Sequence, residues 1–277
     1  MPTIERNLAL WENYNWTNEG EEWSGAWGGS ESQWQWSLWQ RIHAFLPART
    51  ILELGPGRGR WTRYLKDYCE HLIGVDLSES CIQSCKERFA AHPGLEFHAN
   101  DGKSLAMIPD QSVDFVFSFD SLVHAEADVL EAYIVQLSSK LKPDGVGFIH
   151  HSNLGAYRTY YSMKSLIPRG KGLLFRLGLV DNDGLRGADM TAELFESYAR
   201  KAGMQCTSQE LINWASKRLI DCISTFTPAA SKWARPNTVL RNPDFMREVE
   251  YVGRLSGLYK GKVVSTVKAI YPKRPRP

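Results

Sequence analysis

Short apolar runs and longer stretches of helical periodicity alternate along the middle of this 277-residue chain. The apolar runs occupy residues 50–54, 72–75, 95–99, 113–119 and 146–150, and helical spacing occupies residues 61–69, 78–89 and 128–141. Such alternation is typical of βαβ units, in which helices connect parallel strands and cover the sheet that they form. The pattern therefore predicts an α/β fold with a mostly parallel sheet.

The pattern changes after residue 152. Glycines, aromatic residues and basic residues mix without clear periodicity up to residue 189, and regularity then resumes with a helix at 191–202 that Gly203 is expected to close. Two strand-like segments, at 204–214 and 218–226, and a last helix at 242–258 follow. We therefore expect three parts along the chain: a tryptophan-rich leader at 1–48, a main domain at 49–270 with an insertion at 152–190, and a basic tail at 271–277.

A glycine-rich turn, Glu53-Leu-Gly55-Pro-Gly57-Arg-Gly59, ends the first apolar run. Glycines allow the backbone to approach a ligand closely, and the N–H groups of the following helix point at that ligand. Dinucleotide-binding proteins use a related turn, but here the spacing is GxGxG and Arg60 stands where the third dinucleotide glycine is expected. This spacing argues against NAD as the ligand.

Acidic residues end three further strands. Asp76 follows the second run, Asp101 the third and Asp120 the fourth. The carboxyl ends of parallel strands meet at one edge of the sheet, where open α/β sheets bind their ligands. At that edge Asp76 can accept hydrogen bonds from the hydroxyls of a ribose, and Asp101 can accept one from an adenine amine.

These segments resemble the class I methyltransferases that depend on S-adenosylmethionine (SAM). ILELGPGRGRWT is similar to the first motif of that family, IGVDLS to the second and HANDGKSL to the third. VDFVFSFDSLVHAE and LSSKLKPDGVGF are similar to the segment around the fourth strand and the turn before the fifth, with Asp144 in place of the first glycine of that turn. The resemblance is close over residues 50–150 and loose over the last two strands.

The family's fold and site follow from the resemblance as expectations. It implies a Rossmann-like, seven-stranded sheet with helices on both faces, whose last strand is antiparallel. It also implies that SAM is held at the glycine turn through its amino-acid part, at Asp76 through its ribose and at the end of the third strand through its adenine. The predicted cofactor-binding residues are Glu53, Gly55, Gly57, Gly59, Asp76, Leu77, Asn100, Asp101, Gly102, Phe119 and Asp120.

Three histidines are candidates for a catalytic base. His124 lies just beyond the fourth strand, and His150 and His151 end the fifth. Histidine suits proton removal from a hydroxyl acceptor at neutral pH, although each of the three can instead be a hydrogen-bonded structural residue. Side chains alternate along a strand, so at most one of the adjacent pair is expected to face the site. We rank His124 first and His151 second.

A divalent metal site is an alternative use of the same residues. Asp120, Glu126 and the histidines offer the oxygen and nitrogen ligands that Mg²⁺ or Mn²⁺ accepts, but no tight spacing requires a metal. The predicted site therefore contains no metal.

The leader contains seven of the ten tryptophans within its first 39 residues. Trp34, Leu38, Ile42 and Phe45 share one helical face, which is typical of core packing. A second stretch of the leader contains Trp23, Trp27 and the glycine pair that follows Trp27. This stretch is predicted to be either a lid that closes over the ligands or a static cover.

The expected activity is transfer of a methyl group from SAM to a small polar molecule. The tryptophan-rich leader and the HHSN segment resemble methyltransferases of glycan and secondary-metabolite gene clusters, which favours O-methylation of a sugar, glycan or secondary-metabolite hydroxyl. Two alternatives stay open: N-methylation of a small amine, and SAM binding without methyl transfer.

The charge and the cysteine content of the chain limit the kinds of partner and compartment that can be expected. The formal net charge of +2 is too small to indicate a nucleic-acid partner. Five cysteines without a CxxC pair fit reduced thiols in the cytoplasm, and neither an export signal nor a membrane-spanning run is evident. The sequence leaves the oligomeric state open, with a homodimer as one candidate.

Overall fold

A computed structural model describes residues 3–165 and 185–260 of the chain. The described residues form one eight-stranded sheet in the order β3-β2-β1-β4-β5-β7-β6-β8. The strands are β1 Ala48–Leu54, β2 Cys69–Asp76, β3 Leu95–Ala99, β4 Val113–Ser118, β5 Leu141–Ser152, β6 Met204–Ile212, β7 Asp221–Pro228 and β8 Thr238–Asn242. The Rossmann-like α/β architecture predicted from the alternating pattern is confirmed.

The direction of the strands also agrees with the prediction, apart from one addition. β1 to β5 are parallel to one another, and β7 runs antiparallel to both β5 and β6. The count of seven strands was wrong by one, because β8 pairs in parallel with β6 and extends that edge. Four of the five β8 residues are exposed, so this strand has no buried face that the sequence pattern could reveal.

Helices cover both faces of the sheet. They are α1 Ile4–Glu12, α2 Ser30–Gln33, α3 Trp39–Ile42, α4 Thr62–Leu65, α5 Glu79–Arg88, α6 Ala127–Lys140, α7 Arg158–Ser165, α8 Ala192–Lys201 and α9 Phe245–Tyr259. Ser78 caps α5 by accepting a hydrogen bond from the Cys81 N–H at 3.1 Å. The predicted left-handed turn after α8 is confirmed at Gly203, whose φ is 75°.

The leader packs against the sheet over most of its length. A 3₁₀ helix at Glu21–Trp27 precedes α2, and a π-helical turn at Trp34–Leu38 joins α2 to α3. The predicted apolar face is buried: Trp34 stacks on Tyr64 with 5.1 Å between ring centroids, and Leu38 and Ile42 have no exposed surface. Arg41 ties this segment to β6 through a paired contact with the Glu210 carboxylate at 2.6 and 2.7 Å.

The insertion and the tail are only partly within the described residues. The insertion begins as a 3₁₀ turn, Leu154–Tyr157, and continues into α7. The rest of it up to residue 184, and the basic tail at 271–277, lie outside the described residues. In the described part of the chain, no helix combines the length and the apolar character needed to span a membrane.

The contact between β5 and β7 generates a stability prediction. A Cβ atom added to Gly147 would lie 2.1 Å from Phe226 Cζ, which is far inside van der Waals contact. We expect Gly147→Ala to lower the free energy of unfolding by about 1–3 kcal/mol, the usual effect of overpacking a core. Urea denaturation measures this as a lower midpoint with an unchanged slope.

Gly25→Ala is the matched control for that variant. An added Cβ at Gly25 meets no atom within 4 Å, so the same chemical change should leave the urea midpoint close to that of the wild type. If Gly147→Ala unfolded at the wild-type midpoint, the close packing of β5 against the Phe226 ring would be contradicted.

Candidate cofactor and acceptor site

The glycine turn has the backbone that only glycine adopts readily. Gly55, Gly57 and Gly59 have φ values of 72°, 57° and 83°. A Cβ on Gly55 would lie 2.6 Å from Ser121 Cβ, and a Cβ on Gly59 would lie 2.4 Å from a Phe89 ring carbon. Two of the three glycines are thus required by neighbouring side chains as well as by their backbone conformation.

Glu53 lies at the end of β1, beneath this turn, and is almost fully buried. Its Oε2 accepts a hydrogen bond from Thr62 Oγ1 at 2.6 Å, whereas Oε1 is buried without a partner among the described residues. Burial raises the pKa of Glu53 to about 7. A buried carboxyl oxygen without a partner suits a cationic donor, and the amino group of SAM is such a donor.

Asp76 connects the turn to β2 and α5. Its Oδ2 accepts a hydrogen bond from the Gly57 N–H and its Oδ1 accepts one from the Ser78 N–H, both at 2.9 Å. Burial raises the pKa of Asp76. Each carboxylate oxygen has two lone pairs, so both can still accept a ribose hydroxyl. Leu77 follows, half-buried.

The end of β3 adjoins Asp76, because the Asn100 N–H donates to the Asp76 carbonyl at 2.9 Å. The Asn100 side chain donates to Tyr133 Oη and to the Ser104 carbonyl, and the exposed Asp101 carboxylate accepts from two N–H groups of its own turn. Gly102 is buried beneath Ile4 of the leader. These side chains shape the loop, and the leader covers it.

The end of β4 contains a buried ion pair. Asp120 has a left-handed backbone, with φ of 63°, and its Oδ2 accepts from Arg60 Nη2 at 2.9 Å. Arg60 also donates to Ser24 Oγ at 3.4 Å and lies over the Trp61 ring. Phe119 is fully buried among aromatic rings, 4.7 Å from the centroid of His150.

His150 holds this end of β4 in place. Its Nδ1 accepts a hydrogen bond from the Asp120 N–H at 3.2 Å, so the ring proton lies on Nε2, which is 3.3 Å from Asp221 Oδ2. Arg186 pairs with both oxygens of Asp221, at 3.0 and 2.8 Å. Burial alone would raise the pKa of Asp221, but Arg186 and His150 hold it well below its usual range.

His151 points to the opposite face of the sheet, as strand alternation requires. Its ring stacks on Phe195 with centroids 4.4 Å apart, Nε2 contacts Ser224 Oγ at 2.8 Å, and Nδ1 contacts the Ser152 carbonyl. Burial lowers the pKa of His151 to about 3. Its ring nitrogens are thus engaged in the core, away from Asp120.

His124 lies in the short 3₁₀ helix Leu122–His124 after β4 and is half-buried. Its Nδ1 is 3.0 Å from the Leu185 carbonyl, and a carbonyl can only accept, so the ring proton lies on Nδ1 and Nε2 keeps its lone pair. Burial and the nearby Arg186 lower the pKa of His124. The ring is therefore neutral at physiological pH and can accept a proton through Nε2.

Aromatic residues of the leader lie over the same edge. Trp16 is 3.2 Å from a Cβ built on Gly57, and the Trp11 ring centroid is 5.4 Å from that of His124. Trp27 is only 3% exposed and packs 5.1 Å from Trp214, which favours a static cover over a mobile lid at that residue. Trp23, by contrast, is 42% exposed.

Some residues of this edge were not singled out from the sequence, namely Trp11, Trp16, Ser121, Arg186 and Asp221. Their contacts join segments that are distant along the chain, and only the unusual density of tryptophans gave a signal. Among residues 3–165 and 185–260, no three His, Cys, Asp or Glu side chains form a group that could hold a metal ion.

A family model described as a methyltransferase domain matches residues 51–145, which extend from β1 into the first residues of β5. The chain is also similar to phosphoethanolamine N-methyltransferase 1 from Triticum aestivum, with 35% identity over 116 residues. That match covers 40% of this chain and 23% of the relative, so this chain spans less than a quarter of the relative's length in the alignment.

Two solved structures illustrate the similarity of this chain's fold to known proteins. The PH0226 protein from Pyrococcus horikoshii OT3 matches with a TM-score of 0.51 and 20% identity, over 72% of this chain and 90% of that chain. A SAM-dependent methyltransferase from Aquifex aeolicus matches with a TM-score of 0.48 and 14% identity, over 70% of this chain and 92% of that chain. Residues 51–145 thus match a methyltransferase domain, and the eight-stranded sheet that contains them has the Rossmann-like fold that the sequence motifs imply.

Proposed function

We propose that this protein transfers a methyl group from SAM to a small polar molecule, with His124 as the base. The observation that carries the proposal is the position of His124. It follows the strand that ends beside the glycine turn, since Ser121 Oγ donates to the Gly55 carbonyl at 2.6 Å. The predicted donor-binding residues and a neutral imidazole therefore lie at one sheet edge, which supports transfer to an acceptor held between them.

The residues divide the work as follows. The glycine turn, Glu53 and Asp76 hold SAM, which supplies an activated methyl group on its sulfonium sulfur. Arg60 and Asp120 fix the backbone beside the turn, and His150 holds the Asp120 backbone by accepting its N–H hydrogen bond. His124 Nε2 takes the acceptor proton as the acceptor lone pair becomes free to attack the methyl carbon.

The acceptor atom has two candidates. A sugar or secondary-metabolite hydroxyl needs a base, which His124 offers, and aromatic rings of the leader could stack on a sugar. A small amine is favoured by the similarity to the wheat enzyme, whose name states N-methylation. An amine that arrives protonated also needs a base, so His124 serves either acceptor.

Labelled SAM with a panel of acceptors tests the proposal. The full chain should bind SAM and transfer label to a member of a panel of amines, nucleotide sugars and small phenols. Tight SAM binding without transfer to any acceptor would favour a binding protein that lacks methyl transfer. Label on oxygen or on nitrogen decides between the two acceptor atoms.

SAM affinity should depend on pH through Glu53. The raised pKa, about 7, means that Glu53 is protonated below pH 7, and pairing with the SAM ammonium requires that proton to leave. We expect affinity to rise by up to about tenfold per pH unit as pH increases towards 7, and then to level off. Calorimetric titration between pH 5.5 and 7.5 measures this slope.

Glu53→Gln should remove the slope and weaken SAM binding, because a neutral amide neither titrates nor pairs with an ammonium. Glu70→Gln is the control, since Glu70 is an exposed residue of β2 that pairs with Arg49 on the surface. A slope that survived in Glu53→Gln would show that another group titrates on SAM binding.

Turnover should depend on His124. We expect His124→Gln to lower kcat by about 10²–10⁴-fold, the range for loss of a general base, while SAM affinity changes little. Because the pKa of His124 is lowered, wild-type kcat should stay level at neutral pH and fall only under acidic conditions. His92→Gln, at an exposed histidine before β3, should behave as wild type.

A further inference from the structure

Four aromatic side chains of the leader pack together at the ligand edge of the sheet. The ring centroids of the contacting pairs lie 5.0–6.2 Å apart, and the ring planes are tilted or edge-on. Tyr14 and Trp16 form the shortest of these contacts, and Trp11 and Trp23 form the longest. We call Trp11, Tyr14, Trp16 and Trp23 the leader cluster. The faces of indole and phenol rings attract a cation, and indole does so most strongly among the aromatic side chains.

A carboxylate lies beside this cluster. Both carboxylate oxygens of Glu22 are buried, and within the described residues no cationic side chain hydrogen-bonds to them. Tyr14 is next to Glu22, and the pKa of Tyr14 is raised by burial, by the charge of Glu22 and by a hydrogen-bonding contact with it. A phenol hydroxyl does not neutralise a buried carboxylate, whereas a bound cation does.

The cluster lies where donor and acceptor meet. Trp16 covers Gly57 of the glycine turn at one end, and Trp11 contacts His124 at the other. Glu22 is two residues from Ser24, which accepts a hydrogen bond from Arg60, the partner of Asp120. A ligand held by the cluster would therefore lie between the SAM-binding turn and the base.

We propose that the leader cluster and Glu22 bind the cationic nitrogen of the methyl acceptor, so that the substrate is a compact organic ammonium. This inference rests on the proposed methyltransferase function and names its substrate class. The rings supply cation–π attraction and Glu22 supplies the opposite charge. A neutral sugar could stack on the same rings but would leave the Glu22 charge without compensation.

Choline and 3,3-dimethyl-1-butanol form a matched pair of probes. They have the same shape, but choline has a quaternary nitrogen where the alcohol has carbon, so a difference in affinity isolates the charge. We expect choline to bind the full chain at least about tenfold more tightly than the alcohol, as desolvated cation–π contacts imply. Tryptophan fluorescence and calorimetric titration, without SAM, report the binding.

Glu22→Gln keeps the shape of the side chain and removes its charge. It should weaken choline binding by about tenfold or more and leave binding of the alcohol unchanged. Trp23→Leu removes one ring at a half-exposed position where loss of folding is not expected, and it should also weaken choline binding. Trp36→Leu is the control, because Trp36 is 58% exposed and lies outside the cluster.

Equal affinity for the two probes, or choline binding that is insensitive to Glu22→Gln, would overturn the assignment. The SAM sulfonium is the other cation at this edge. If Glu22→Gln weakened SAM but not the neutral product S-adenosylhomocysteine, and choline did not bind, the cluster would serve the donor, and the acceptor assignment would be wrong.

The outcome is separable from that of the proposed function. The choline pair measures binding without any methyl transfer, so a protein that never transfers label can still support or fail this test. Conversely, transfer to a neutral hydroxyl that is unaffected by Glu22→Gln would support methyl transfer and contradict the ammonium site.

Discussion

The Asp76 carboxylate is the interaction on which the ligand edge depends. It accepts one N–H from the glycine turn and one from the start of α5, so the turn after β1, the end of β2 and one helix meet at a single side chain. The Asp76 carbonyl also accepts from Asn100, which brings the end of β3 to the same point. A parallel sheet places its strand ends together, but their loops need such a link to present a fixed surface. Asp76 therefore holds the loops that follow β1, β2 and β3 in fixed relative positions.

A second set of buried charges positions the residues that follow β4. Asp221 is held by Arg186 on one side and faces His150 on the other, and His150 in turn accepts the Asp120 N–H. Burial of an unpaired carboxylate at Asp221 would be unfavourable. The charge of Arg186 and the contact with His150 offset that cost. The left-handed backbone of Asp120 is maintained by this chain, and it directs Asp120 towards Arg60. The two halves of the site are thus joined through Arg60, which follows the glycine turn directly.

Local patterns were enough to predict the framework. The periodicity over residues 50–150 predicted β1 to β5, and the glycine spacing predicted a turn at Gly55–Gly59, where the three glycines have positive φ values. The contact between His150 and Asp221 was not predictable in the same way, because it depends on the antiparallel register that opposes Ser152 to Asp221. Likewise, the glycine pair after Trp27 suggested a hinge, whereas Gly28 fits tightly against Ser256 of α9, where a Cβ would lie 2.7 Å from Ser256 Cβ. The packing role of Gly28 depends on a contact between distant parts of the chain, so it could not be predicted from the local sequence.

The leader covers the loops at the ends of four strands. Ile4 covers Gly102, the Glu12 carboxylate accepts from the Ser80 N–H, Trp16 covers Gly57 and Trp11 contacts His124. One continuous segment thus crosses the ends of β1, β2, β3 and β4, with its apolar side chains facing loops that would otherwise be open to water. Excluding water there strengthens every charge interaction at the edge, including those of Glu22 and Glu53. A leader whose only role was to stabilise the sheet would not need a buried carboxylate beside Tyr14, so Glu22 favours the proposed binding role of the leader over a purely structural one.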